Sequence, residues 1–211
     1  MSATREPLVP PCSAWHALWK NNTAKTLVSG GKQYAEPFET LFRIQRGLAG
    51  YVSFLATCDA NIVFTEYLLY EPTLRILRQM GYEVQCEAPA AGPKSQNGGD
   101  SQRLDFLATQ GCLTMAIEMK WLRWQTDDPR EYLSIERDTN KLIRALVSKQ
   151  ATRSLLCIFG RHTQIRHFQG ANAQAQLGKY NEALPPVYAD LRRTVFGCRI
   201  FELKPDQQPT D

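Results

Sequence analysis

The chain has 211 residues, 43% hydrophobic and 22% charged, with 25 Lys+Arg against 21 Asp+Glu and a formal net charge of +4. That mixture supplies one domain with a real core and excludes a disordered tail or a collagen-like rod; the mild basicity permits a polyanionic partner without requiring one. No stretch approaches the roughly 18 consecutive apolar residues of a membrane-crossing helix. The first residues, MSATREPLVPPCS, place Arg5, Glu6 and three prolines where a secretory signal needs an apolar run. A soluble, cytoplasmic protein with no membrane association is expected.

Residues 1–35 are mixed: Trp15, Leu18 and Trp19 fit one face of a short helix, and Ser29-Gly30-Gly31-Lys32 a turn. From Pro37 to Leu55, Phe38, Leu41, Phe42, Ile44, Leu48, Val52 and Leu55 recur at helical spacing. A second helix is predicted over 61–80, with Val63, Tyr67, Leu68, Leu74, Leu77 and Met80 as its stripe, a kink at Pro72 and a stop at Gly81. The pattern then changes to strands. Tyr82 to Glu87 alternates and Pro89 ends it; 89–101, PAAGPKSQNGGDS, is a loop by composition; Arg103 to Ala108 alternates again. Thr109-Gln110-Gly111 reads as a hairpin turn leading into a long strand, Leu113 to Leu122. A helix follows from Pro129 to Ser148, with Tyr132, Ile135, Leu142, Ile143 and Leu146 facing the core, and Ser154 to Phe159 is the continuous apolar run of a buried strand. Val187 to Val195 is predicted helical, Cys198 to Leu203 a final strand and DQQPTD a frayed tail. The fold class expected is α/β (α+β), a central mixed sheet flanked by helices with an added N-terminal helical segment.

Cys86, Cys112 and Cys157 each sit in an apolar strand-like run, where a free thiol packs as a small hydrophobe. No two of the six cysteines are spaced as CxxC, and His16, His162 and His167 are not near a cysteine pair, so a zinc site is not expected and the thiols are read as reduced.

The chemistry concentrates in two of the strands. Leu104 and Phe106 are expected on one face and Asp105 on the other; Glu118 and Lys120 share a face opposite Ile117, Met119 and Trp121. A hairpin about Gln110-Gly111 brings Asp105 across from residues 116–118, within one cross-strand neighbour of Glu118. Adjacent carboxylates repel and raise one another's pKa. A hard divalent cation removes that penalty, because Mg²⁺ takes one or two carboxylates and keeps waters for substrate and nucleophile. Lys120 beside it can orient or deprotonate an attacking water and offset charge developing on a phosphate. The competing reading is a salt-bridge ladder on an exposed sheet face, although polar residues are unexpected in a strand as apolar as LTMAIEMKWL.

Asp105, twelve intervening residues and then Glu118-Met119-Lys120 resemble the D…(D/E)xK signature of the PD-(D/E)XK nucleases. The helix, three strands, helix, strand order over 61–160 resembles their core, the restriction-endonuclease-like fold. The resemblance implies a metal-dependent nuclease that hydrolyses phosphodiester bonds of nucleic acid, DNA by analogy, with Mg²⁺ or Mn²⁺ as cofactor. It implies that Asp105, Glu118 and Lys120 are catalytic, that Asp105 and Glu118 ligate the metal, and that Glu66 on the first helix completes the site. A Glu in a first helical turn is also favoured by the helix dipole, which is the structural reading of Glu66, and Glu71, five residues on, is its rival for the place. Glu87 is left outside the set, and Lys141, within Asp138-Thr139-Asn140-Lys141-Leu142, fits the polar or basic residue expected from the second helix. Leu104 stands where a proline usually precedes the Asp, and the 89–101 loop is long for a strand connection. The organisation that follows is an N-terminal helical extension (1–60), the nuclease-like core (61–160) and a C-terminal accretion (161–211), in a single domain.

Between Lys120 and His167 ten basic residues face five acidic ones, leaving the rest of the chain at −1. Arg137, Lys141 and Arg144 recur at three or four residues along one helical face and are the expected nucleic-acid-binding stripe; a solvated face with i,i+4 pairs is the alternative. Trp121 is expected in the core, and no role is assigned to His162 or His167. The alternative function is a non-catalytic protein of the same fold, acting as a nucleic-acid-binding or protein-interaction subunit, with a homodimer or another protein partner left open.

Overall fold

A computed structural model of the chain describes residues 38–58, 65–91, 102–122, 129–167, 180–184, 187–191 and 194–203. The helix expected around Trp15 and Trp19, the turn at 29–32, most of the 89–101 loop and the C-terminal tail lie outside them. Helix α1, Phe38–Cys58, buries Leu41, Ile44, Leu48 and Val52 of the expected stripe, and Ala49 beside them, while Phe38, Phe42 and Leu55 are half-buried. Helix α2, Tyr67–Gln79, runs through Pro72 and buries Leu69, Thr73 and Leu77. Of the expected stripe Leu77 is buried and Leu74 and Met80 pack against the core, but at the start of the helix the face is rotated: Tyr67 is 76% exposed and Leu69 is buried instead. A partly apolar helix offers two overlapping stripes, and contact with α1 and the sheet selects between them.

The end of α2 follows the expectation at Gly81. The Gly81 N–H bonds the Arg78 carbonyl and the Tyr82 N–H the Leu77 carbonyl, at 3.0 and 3.1 Å, with Gly81 at φ +85°. This closure needs a left-handed residue, which only glycine adopts without steric cost. A Cβ on Gly81 would also meet the Gln110 side-chain nitrogen at 3.0 Å. Gly81→Ala is expected to destabilise the fold by about 1–2 kcal/mol in urea titrations without changing the transition slope.

Among the described residues seven strands form one sheet: β1 (Glu83–Pro89), β2 (Arg103–Gln110), β3 (Leu113–Trp121), β4 (Arg153–Arg161), β5 (Tyr180–Glu182), β6 (Val187–Leu191) and β7 (Thr194–Leu203). The order is β1-β2-β3-β4-β7, with β5 and β6 both along the outer edge of β7. Among the described residues only β3 and β4 pair in parallel, joined by helix α3, Pro129–Val147. A parallel pair needs such a crossover, and the helix uses it to cover one face of the sheet. The short helix α4, His162–His167, follows β4. The structure is therefore mixed α/β, as the element order implies. The helix expected over 187–195 is instead β6 and the start of β7, which pair from Val187↔Cys198 to Leu191↔Thr194. The spacing of Val187, Leu191 and Val195 satisfies period two as well as period four, and the available edge of β7 decides.

The core lies on both faces. One side packs α1 and α2 against Met115, Ile117, Met119 and Trp121 of β3 and Leu155, Cys157 and Phe159 of β4. The other packs Ile135, Leu142, Ile143 and Ala145 of α3 against Ala116, Leu122, Leu156 and Ile158. Trp121 is 6% exposed and lies 5.9 Å from the Phe196 ring, in the core as expected. The alternation expected of β2 fails at one point. Phe106 belongs to the first side but Leu104 to the second, with Ala88. Glu87, between Cys86↔Phe106 and Ala88↔Leu104 in the β1–β2 register, has φ +50°. That left-handed residue breaks the pleat beside Asp105.

Cys157 and Cys198 are buried free thiols, whereas Cys58 and Cys86 are exposed ones. Cys112 is not the buried thiol that its apolar neighbours suggest: it is disulfide-bonded and lies exposed in the turn between β2 and β3. Among the described residues no helix is long and apolar enough to cross a membrane.

Candidate active site

The β2–β3 ladder runs from Gln110↔Leu113 to Phe106↔Ile117, and beyond Ile117 β3 continues against β4 as far as Trp121↔Phe159. Two carboxylates take over where β2 diverges. Asp105 accepts the Met119 N–H through Oδ2 at 2.6 Å, and Glu66, at the start of α2, accepts the Trp121 N–H through Oε1 at 3.3 Å. The other Asp105 oxygen accepts the hydroxyl of Tyr70, whose ring packs 5.0 Å from that of Phe106. A buried edge amide must find an acceptor, and here side chains supply it.

Glu118 and Lys120, at alternate positions of β3, face α3. Lys141 Nζ lies 2.7 Å from Glu118 Oε2, 2.9 Å from Asp138 Oδ1 and 3.1 Å from the Arg103 carbonyl. Lys120 Nζ lies 3.0 Å from Glu66 Oε1 and 3.5 Å from Asp138 Oδ2. Asp138 thus bridges the two ammoniums, and the network links α2, β2, β3 and α3. Four carboxylates against two lysines leave a formal charge of −2 on a site whose central member, Glu118, is 1% exposed. Glu118 Oε1 is buried with no hydrogen-bond partner among the described residues.

Burial pushes the Asp105 carboxyl up to about 6, against the pull of the Tyr70 and Met119 hydrogen bonds and the Lys141 charge. Glu118 is raised well above the usual carboxylate range by burial, then by Asp105 and Asp138. Tyr70 is raised by burial and by the anion it donates to. Burial alone would lower Lys141, but Glu118 and Asp138 outweigh it and hold the ammonium above its ordinary value. The two lysines therefore do not compensate the four acids, and the site stores electrostatic repulsion.

Asp105, Glu118, Lys120 and Glu66 all join this network. Lys141 joins it too, which breaks up the expected stripe on α3: Lys141 points inward, Arg144 donates to the Gln102 side chain, and Arg137 is the exposed member. Glu71 is on the surface, paired with Arg75 at 2.5 Å, and takes no part. Sequence reasoning missed Tyr70 and Asp138. Their signals were the four-residue step from Glu66 to Tyr70 and the three-residue step from Asp138 to Lys141, each placing both side chains on one helical face.

Among the described residues no three His, Cys, Asp or Glu side chains are gathered closely enough to hold a metal ion as they stand. The chemistry of the site nevertheless fits a hard divalent cation. Its donors are carboxylate oxygens, its formal charge is −2, and one buried oxygen of Glu118 awaits a partner. No protein-family model, curated protein or solved structure matches this chain.

Proposed function

We propose that the protein is a metal-dependent nuclease of restriction-endonuclease-like fold, with Asp105 and Glu118 holding Mg²⁺ or Mn²⁺ and DNA as the substrate to test first. The observation that carries this reading is the unpartnered Oε1 of Glu118 inside a buried, net-negative cluster. A charged oxygen left without a partner costs several kcal/mol as a rule, and such a cost persists where a ligand relieves it. The bound ion supplies a Lewis acid and a water of lowered pKa.

The chain's own residues do the rest. Asp105 is fixed by Tyr70 and the Met119 N–H, so its free lone pairs have a set direction. Glu66 is committed to Lys120 and to the Trp121 N–H, which makes it a positioning residue for Lys120 before it is a ligand. Lys120, held between Glu66 and Asp138, presents an ammonium on the same side of β3 as Glu118. There it orients water and offsets charge developing on a phosphate. Arg137, exposed on α3, remains for the nucleic-acid backbone.

The test is cleavage of supercoiled plasmid and of single-stranded DNA in Mg²⁺, Mn²⁺ or EDTA, with Glu118→Ala and Lys120→Ala beside the parent. Cleavage that needs metal and is lost in both variants is expected. A second reading, the non-catalytic binding or interaction subunit, is favoured by one observation: Lys141 and Lys120 already pair with every carboxylate of the cluster but Asp105. Binding without cleavage, unaffected by either substitution, would establish that reading instead.

A further inference from the structure

The surroundings of Lys141 resemble a cation site more than a surface ion pair. Its ammonium has three hydrogens and three oxygen acceptors, one from each of three elements: Glu118 of β3, Asp138 of α3 and the Arg103 carbonyl of β2, at 2.7, 2.9 and 3.1 Å. The side chain is 15% exposed and Glu118's is 2% exposed, so water contributes little to holding either charge. Lys141 reaches Glu118 through Oε2 alone and leaves Oε1 unpartnered. One ammonium therefore meets half of Glu118's capacity, and its remaining ties are to atoms that are not Glu118.

We infer that Lys141 is a built-in countercation, which keeps Glu118 folded into the site before metal arrives and, by competing for it, sets how tightly the metal is held. Glu118 has Oε1 open to an ion while Oε2 is held by Lys141, so the two cations would compete through their charge on one carboxylate. Asp138 keeps Lys141 beside that carboxylate, binding it through Oδ1 while its Oδ2 faces Lys120. Removing the charge takes the cluster from −2 to −3. A unit positive charge a few ångströms from a divalent ion opposes its binding even at the high effective dielectric of a partly open site.

This inference rests on the metal site proposed above, and the experiment separates the two. The full chain is titrated with Mn²⁺ and the free ion is followed by its electron paramagnetic resonance, for the parent, Lys141→Met, Lys141→Gln and Lys141→Arg. Binding about tenfold tighter or more is expected in Lys141→Met and Lys141→Gln, with Lys141→Arg within about threefold of the parent. The glutamine variant keeps a donor to Glu118 and serves if the methionine variant does not fold. Mn²⁺ uptake by the parent with equal or weaker affinity in both neutral variants would overturn the countercation and leave the metal site standing. No Mn²⁺ uptake by any of the four proteins would overturn both.

Discussion

Glu118→Gln is expected to unfold at a higher temperature than the parent in EDTA, and to lose both metal-dependent cleavage and the stabilisation that Mn²⁺ confers. The reasoning is electrostatic. Glu118 is 1% exposed, surrounded by Asp105 and Asp138, and its one ion pair leaves an oxygen without a partner. The amide keeps the shape, accepts from Lys141 through its oxygen and turns the orphaned atom into a donor facing a carboxylate-rich site. Removing an uncompensated buried charge in this way stabilises by about 1–2 kcal/mol, or about 2–8 °C for a chain of this size. Cleavage falls by about 10²–10³-fold or more. Thermal melts with and without Mn²⁺ read both effects. A destabilised variant that still melts higher in Mn²⁺ would show that Glu118 belongs to a structural ion network and that the metal binds elsewhere.

The second large effect is an inverted response to acid. Asp105 in the folded chain holds its proton up to about 6, above its ordinary 3.8, chiefly because it is buried. The folded state therefore binds more protons than the unfolded one between those values. Stability from this group is lowest above about pH 6 and grows as the pH falls toward 3.8. The gain is about 2 kcal/mol between about pH 7.5 and 4.5, and about 3 kcal/mol in the limit. Glu118, raised by the same burial, acts in the same direction. The metal-free protein should thus become more stable on mild acidification, and the slope should shrink in Asp105→Asn. Urea midpoints across that range in EDTA measure it. Identical pH profiles for parent and variant would mean that Asp105 is solvated and not part of a buried cluster.

Much of this arrangement is legible in the amino-acid order, and what is not has definite causes. The strands of the Asp105–Lys120 hairpin are read correctly because Gly111, at φ +58°, anchors a two-residue turn and a period-two pattern follows it. The β3 side of the site is legible for the same reason: Glu118 and Lys120 are the charged positions of a nine-residue strand otherwise made of uncharged residues. The inward face of α2 is legible only in part: Leu77 is common to the expected and the observed stripe, but Leu69 and Thr73 compete with Tyr67 and Leu68 for the rest, and only the packing partner decides. The break at Glu87 is not legible, since it depends on a backbone angle that no side-chain pattern announces. Lys141 carries two readings in the sequence, the basic residue that the resemblance expects from the second helix and a member of the Arg137–Lys141–Arg144 stripe, and only β3 laid beneath it selects the first; Asp138 looks like its ordinary solvated helix partner until then.

The divergence of β2 from β3 makes the acidic residues do double duty. Asp105 and Glu66 are acceptors for the Met119 and Trp121 amides, so they act as plugs in an otherwise open strand margin. Taking them away would bare main-chain donors of the kind through which sheets recruit foreign strands. Resistance to edge-to-edge pairing is thus tied to the same two side chains that help build the acidic cluster.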